Sequence, residues 1–210
     1  MLVFWEQLRY SIDAQAMTGE MKMDLYEILR THNRPWSFRE IVCFSIFFLI
    51  VIGITVMLRR KNRIKTSQAV FFCFMVAYLA VVFASTVFTR NPTEYASYEL
   101  QPLWSWEKAF LEHSAVALEE IFLNILLLIP FGMTLPFIFN RRTKASQGLL
   151  CGFLVSVVIE IAQLVLHRGL FEWDDMLHNA LGSMLGCIWM NWLICRFRLL
   201  RRKLKKTESR

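Results

Sequence analysis

Three short groups of polar side chains carry the chemistry this chain can offer. Glu120 and Asn124 are four residues apart, with Glu119 beside them. Glu160 and Gln163 are three apart, with His167 four further on. Asp174, Asp175, His178 and Asn179 form one tight run. Offsets of three and four place side chains on one face of a helix, so each pair points its polar groups in one direction. Carboxylates and imidazoles are what general acid–base chemistry uses, and what a hard or borderline cation needs. On that reading the catalytic candidates are Glu160, Asp174, Asp175 and His178, with His167 as a further imidazole. His178, four residues after Asp174, reads more simply as a helix-end polar group than as a ligand. Arg90 and Arg168 add the opposite capability, because a guanidinium grips a phosphate or carboxylate through two parallel hydrogen bonds. A binding site would draw on Arg90, Glu120, Asn124, Glu160, Gln163, Arg168, Asp174, Asp175 and Asn179. No H-E-x-x-H, nucleophile elbow or phosphatase motif is present. Neither a metal nor a cofactor is expected.

The elements that must position these groups are long and apolar. Of 210 residues 56% are hydrophobic and 20% charged, against roughly 45–50% and about 25% in soluble chains. That balance excludes disordered, collagen-like and disulfide-scaffold classes. Five stretches approach the roughly 20 apolar residues that cross a bilayer: Ile41–Leu58, Ala69–Phe88, Val116–Phe139, Gly148–Leu166 and Met176–Cys195. The first two contain no charge at all. A soluble core helix would keep one polar face, and these do not. The expected fold is all-α, a polytopic membrane helix bundle of about five transmembrane helices. It divides into an arm (1–40), the bundle (41–195) and a basic tail (196–210). Met1–Trp5 is apolar, but Glu6 and Arg9 interrupt it before a signal-peptide core could form, so no secretory signal is expected. In the arm Leu25, Ile28 and Leu29 have helical spacing, which suits an amphipathic or interfacial segment.

Ionisable groups inside spans are expensive and normally face a bundle interior or a wet cavity. At 1.5 Å per residue, Glu160 lies about 9 Å, Asn124 about 12 Å and Asn179 about 5 Å from the same end of their spans. Similar depths on three helices predict one site rather than scattered interhelical glue. Asp175, Asn179, Gly182 and Gly186 form one stripe on the fifth span. Gly182-x-x-x-Gly186 and Gly148-x-x-x-Gly152 predict close helix approach around the fourth and fifth spans. Pro130 and Pro136, with Gly132, predict a bend in the far half of the third. A carboxylate as deep as Glu160 needs a proton, a cation or Arg168 to neutralise it. The cysteines Cys43, Cys73, Cys151, Cys187 and Cys195 fit no disulfide or zinc pattern and read as small buried hydrophobes.

Net charge is +7, and its distribution is more informative than its sum. The loops 59–65 and 141–144 and the tail fall on one side and hold 16 of the 24 Lys and Arg with a single acid, a balance of +15. The other side holds eight Lys and Arg and 15 acids, a balance of −7, with Glu160 in the membrane between. Basic loops stay cytoplasmic, so the arm and polar groups are expected outside and the tail on the cytoplasmic side. The tail, RFRLLRRKLKK, reads as a topology signal and a contact for anionic lipid, not for nucleic acid.

The stretch Asn124–Gly186 resembles the VanZ-like family of bacterial integral membrane proteins. NILLLIPFG (Asn124–Gly132) is similar to the family's Asn and Ile-Pro-Phe-Gly pattern, and Glu160 with Gln163 matches its E-x-x-Q. RGLFEWDDMLHNALGSMLG (Arg168–Gly186) matches its Arg, acidic cluster, Asn and spaced glycines. Upstream, Arg90 and ELQPLWSW look like its Arg and Pro-aromatic loop, so the likeness runs from about 90 to 195. The chain departs from the pattern at Leu128, Glu172, Trp173 and Ser183. The resemblance implies a multi-pass cell-envelope protein of the bacterial cytoplasmic membrane, associated with resistance to glycopeptides of the teicoplanin type. It leaves two classes of mechanism open. One is a non-enzymatic site that binds a membrane lipid, a lipid-linked wall precursor or a lipoglycopeptide. In it Arg168 or Arg90 takes an anionic head group under the loop 91–115, whose Trp104 and Trp106 serve as interfacial anchors. The other is an intramembrane enzyme using the Glu/Asp/His cluster; a transporter or scaffold is a third possibility.

Overall fold

The computed structural model describes residues 38–208, with side chains as far as Arg201. The arm lies outside this range except for its last residues, which open the first helix. Helix α1 spans Phe38–Arg60 and α2 Thr66–Phe83, the latter extended by a π-helical turn, Ala84–Phe88. A short strand β1 (Ser97–Glu99) and helix α3 (Trp104–Leu111) follow. Then come α4 (Ala115–Leu127), α5 (Ile129–Ile138), α6 (Ala145–Leu166), β2 (Leu170–Glu172) and α7 (Trp173–Glu208). Five segments are long and apolar enough to cross a membrane: Phe38–Arg60, Thr66–Phe88, Ala115–Ile138, Ala145–Leu166 and Trp173–Arg201. The all-α bundle expected from hydropathy is the fold observed. The strands add a small parallel pair, with Ser97 opposite Leu170 and Glu99 opposite Glu172.

The third span differs from expectation. It is not bent in its far half; it is broken into α4 and α5 at Leu128. Pro130 falls in the first turn of α5, where a missing N–H costs nothing because no helical carbonyl awaits it. The Tyr78 hydroxyl donates to the Leu127 carbonyl at the break, at 2.6 Å. The tail continues α7 without interruption to Glu208.

α7 is the axis of the bundle and packs on α4, α5 and α6. Small residues make this possible. A Cβ at Gly182 would stand 1.9 Å from the Ile125 carbonyl oxygen, and one at Gly186 2.1 Å from that of Ile129. On α5, a Cβ at Gly132 would meet the Ser183 carbonyl at 2.0 Å. Gly182 and Gly186 thus face the broken third span, while Gly148 and Gly152 of α6 admit Cys187 and Ser183. α1 is the opposite case. Only Thr55 is buried, and Ile46, Phe47, Leu49 and Ile50 are exposed, as a lipid-facing helix requires. Cys43 is exposed on it, so of the cysteines read as buried only Cys187 is fully so.

Candidate functional site

The polar groups gather at the end of the bundle away from the basic loops. The π-helical turn that ends α2 starts the construction. Thr89 N–H reaches back to the Ala84 carbonyl at 2.9 Å, and such a widened turn leaves a carbonyl without a helical partner. The Thr86 carbonyl accepts from Gln163 Nε2 at 3.0 Å, which fixes the orientation of that amide. Two residues past the turn, Arg90 enters beside the α6–β2 connection. Gly169 there has φ +130°, and a Cβ on it would lie 2.5 Å from Arg90 Nη1. Only glycine fits that conformation and that space together.

Arg90 stands within electrostatic reach of Asp175, Glu160 and Glu172. Burial pulls its pKa down, and the three carboxylates push it back up. Asp175 accepts from Asn124 Nδ2 across α4 and α7, and its carboxyl is also hydrogen-bonded to that of Glu172. Glu160 is 1% exposed, and its Oε2 accepts from the Glu172 backbone N–H at 3.0 Å. Burial, then the neighbouring Asp175 and Glu160 carboxylates, push Glu172 up to about 9. Glu172 therefore carries a proton at neutral pH and can donate it to Asp175. Glu120 is buried on the Asn124 face and adds to the negative surroundings of Glu172. Beside the cluster, Asn179 Nδ2 donates to Ser156 Oγ at 2.8 Å, and that hydroxyl donates to the Asp175 carbonyl at 3.4 Å. Two buried acceptors, Gln163 Oε1 and Asn179 Oδ1, have no hydrogen-bond partner.

A second polar group lies apart from the first. Asp174, fully buried, accepts from the backbone N–H of Leu103 at 2.6 Å and of Ser105 at 3.0 Å, and from the Ser105 hydroxyl. It caps the N-terminus of α3 from outside the helix, in the place a Ser or Asp cap would take. His178 is buried, and its Nε2 accepts from the Trp106 indole N–H at 2.8 Å. His178 is therefore a packed internal partner rather than a helix-end group. Trp106 is half-buried, and that bond fixes its indole. Lys108 lies 4.1 Å over the Trp104 ring. These contacts tie the α2–α4 connection down onto the start of α7.

The structure thus brings together Arg90, Glu120, Asn124, Glu160, Gln163, Asp175 and Asn179 from the expected set. Arg168 does not join them: its Nη1 donates to the Phe88 carbonyl at 2.6 Å, and the arginine beside Glu160 is Arg90. His167 is exposed and ends α6 in a left-handed conformation, φ 53°. The α7 stripe divides, since Asp175 and Gly182 face α4 while Asn179 turns to α6. Among the described residues no group of three or more His, Cys, Asp or Glu could hold a metal ion. Glu172 and Ser156 are the members that sequence reasoning missed. Glu172 was visible beside Asp174 and Asp175; Ser156 gave no signal.

A multi-pass helical membrane protein with a buried carboxylate–guanidinium–amide cluster at one end is the class these observations define. Residues 75–196, more than half of the chain, match the VanZ/LLP1 family model. The chain belongs to the VanZ/LLP1 family. The matched region starts within α2, earlier than the likeness from Arg90, and so takes in Tyr78 and the π-helical turn. No curated protein and no solved structure matches the chain.

Proposed function

We propose that this protein is a cell-envelope component that holds the polar head of a lipid or lipid-linked ligand in the Arg90–Glu160–Glu172–Asp175 cluster. Such binding would underlie a contribution to resistance against teicoplanin-type glycopeptides. The observation that carries the reading is the placement of three carboxyl groups around one guanidinium inside a membrane bundle, with Gln163 Oε1 and Asn179 Oδ1 left open. Purely structural glue would close its acceptors, because an unmet buried acceptor costs about 1–3 kcal/mol. Arg90 is already balanced by carboxylates, and Arg168 is turned to a backbone carbonyl. The site therefore suits a head group that donates hydrogen bonds or carries positive charge, such as a protonated amine, rather than a phosphate.

Ligand-dependent stabilisation tests the reading. Purified protein is heated in detergent with amine-bearing lipids, with anionic lipids, and with lipid-linked wall precursors. A ligand at a hundred times its Kd adds about 2.7 kcal/mol. That raises the melting temperature by roughly 5–10 °C for a domain of this size. The shift should disappear in Glu160→Gln and Asp175→Asn. Equal shifts in wild type and both variants would end the proposal. Glu172 supports a second reading, proton-transfer chemistry on the same ligand, because a carboxyl protonated at neutral pH sits against a second carboxyl, that of Asp175. Turnover of a bound precursor, lost in Glu172→Gln with binding intact, would favour it.

A further inference from the structure

At the opposite end of the bundle, the α1–α2 connection and the α5–α6 turn enclose a cleft of about 540 Å³. Arg59, Arg63, Lys65, Thr66, Gln68 and Asn140 line it. None of its lining residues is acidic, and neither are any of residues 59–68 or 138–147. We propose that this cleft is a binding site for the phosphate of an anionic phospholipid.

Its cations are preset rather than loose. Arg59 Nε donates to Thr66 Oγ1 at 2.8 Å and its Nη1 to Asn62 Oδ1 at 3.4 Å, which leaves further guanidinium N–H groups for a ligand. Lys65 Nζ reaches Asn140 Oδ1 at 3.3 Å and keeps two donors. Gln68 accepts from Lys65 N–H at 3.0 Å and donates to the Ile138 carbonyl at 2.8 Å, so the start of α2 is fastened to the end of α5. A preordered site loses less entropy on binding than a flexible one.

Lys65 stands at the N-cap of α2, where helices usually place an acceptor for their first N–H groups. A lysine side chain has donors only. The positive end of an 18-residue helix is thus flanked by three cations and capped by a residue with no acceptor, and an anion completes the arrangement. The membrane supplies the anion. The cleft sits where α1 ends at Arg60 and α2 begins at Thr66, at the level of a head group, and Met57 and Val70 are exposed one turn further in. Those side chains offer acyl chains an apolar surface, which a free phosphate would not use.

The test uses the full chain in nanodiscs of phosphatidylcholine containing a minor fraction of phosphatidylglycerol. Bound lipid is read by native mass spectrometry. Wild type should retain phosphatidylglycerol. Arg59→Gln/Arg63→Gln should lose it about 20- to 30-fold, since each cation near the surface contributes a factor of about five. A variant at the other end of α1, Arg39→Gln, should retain it. Melting in pure phosphatidylcholine checks that the cleft variant is folded, and all these side chains are exposed. Equal retention by wild type and the cleft variant would overturn the proposal. So would equal loss from the Arg39→Gln variant, or displacement of the lipid by millimolar inorganic phosphate.

Discussion

The two ends of this bundle use charge in opposite ways. At the basic end, cations are exposed on short turns, where Arg59 bonds to Thr66 and Asn62 and Lys65 reaches across to Asn140. At the other end, charged and amide groups are buried, and their partners come from distant parts of the chain. Asn124 meets Asp175, Gln163 meets the Thr86 carbonyl, and Asp174 meets Leu103 and Ser105. Exposed charges are screened by water and cost little to lose. Buried ones are committed to partners, and removing one partner strands the other. One end holds its cations at the surface; the other buries its charges within the fold.

The largest effect is expected where packing brings the buried groups together. In Gly182→Leu the new side chain must displace the Ile125 carbonyl, which a Cβ alone would approach to 1.9 Å. Over-packing of this kind costs at least about 1–3 kcal/mol. Here it also parts α7 from α4, so the variant should fail to elute as a monodisperse species in detergent. Gly53→Leu on α1, where nothing lies within 4 Å, should elute like wild type. If both behave alike, the packing seam between α7 and α4 is not what assembles the site.

Arg90→Met comes next. It leaves the carboxyl groups of Glu160, Glu172 and Asp175 without their cation, and loss of one partner of a buried charge set typically costs about 3–5 kcal/mol. Melting should fall by roughly 10 °C for a chain of this size. Arg63→Gln at the basic end should change it by under about 0.5 kcal/mol. Equal effects would erase the contrast between the ends.

A pH series sharpens the same comparison. Glu172 is raised from its ordinary value to about 9, so the folded state holds a proton that the unfolded state releases near pH 4.5. Its stabilising contribution is therefore full below about pH 4.5 and is lost as pH rises through about 9. Melting temperature should decline across that window in wild type and decline less in Glu172→Gln. A parallel slope in the two proteins would remove Glu172 from the account. The smallest effect at the buried end is expected for Asn179→Ala, which loses one interhelical hydrogen bond to Ser156, worth about 0.6–1.7 kcal/mol in a membrane.

Most of the fold was legible because membranes make hydropathy a strong signal: the expected spans begin within a few residues of the helices, and only α7 runs well past its expected end, from Cys195 to Glu208. The third span was harder. Pro130 announced a disturbance, but whether it bends a helix or starts a new one depends on whether Tyr78 arrives to take the Leu127 carbonyl. At the site, periodicity placed Glu120 with Asn124 and Glu160 with Gln163, since those relations are local. It could not choose between Arg90 and Arg168, because that choice rests on a π-helical turn and on the left-handed glycine at 169. Nor could it foresee that Asp174 caps α3 while the next residue, Asp175, joins the cluster, since successive helical positions point about 100° apart and their partners lie some 50 to 70 residues away.

The central claim is that the buried end holds a ligand through Glu160, Asp175 and Arg90. Its most direct test is native mass spectrometry of protein purified from its own membrane, comparing wild type with Glu160→Gln/Asp175→Asn and with Arg59→Gln/Arg63→Gln. The expected result is a stoichiometric amine-bearing adduct on wild type that the Arg59/Arg63 variant keeps and the Glu160/Asp175 variant loses while remaining folded. A folded Glu160/Asp175 variant that keeps the same adducts as wild type would contradict it.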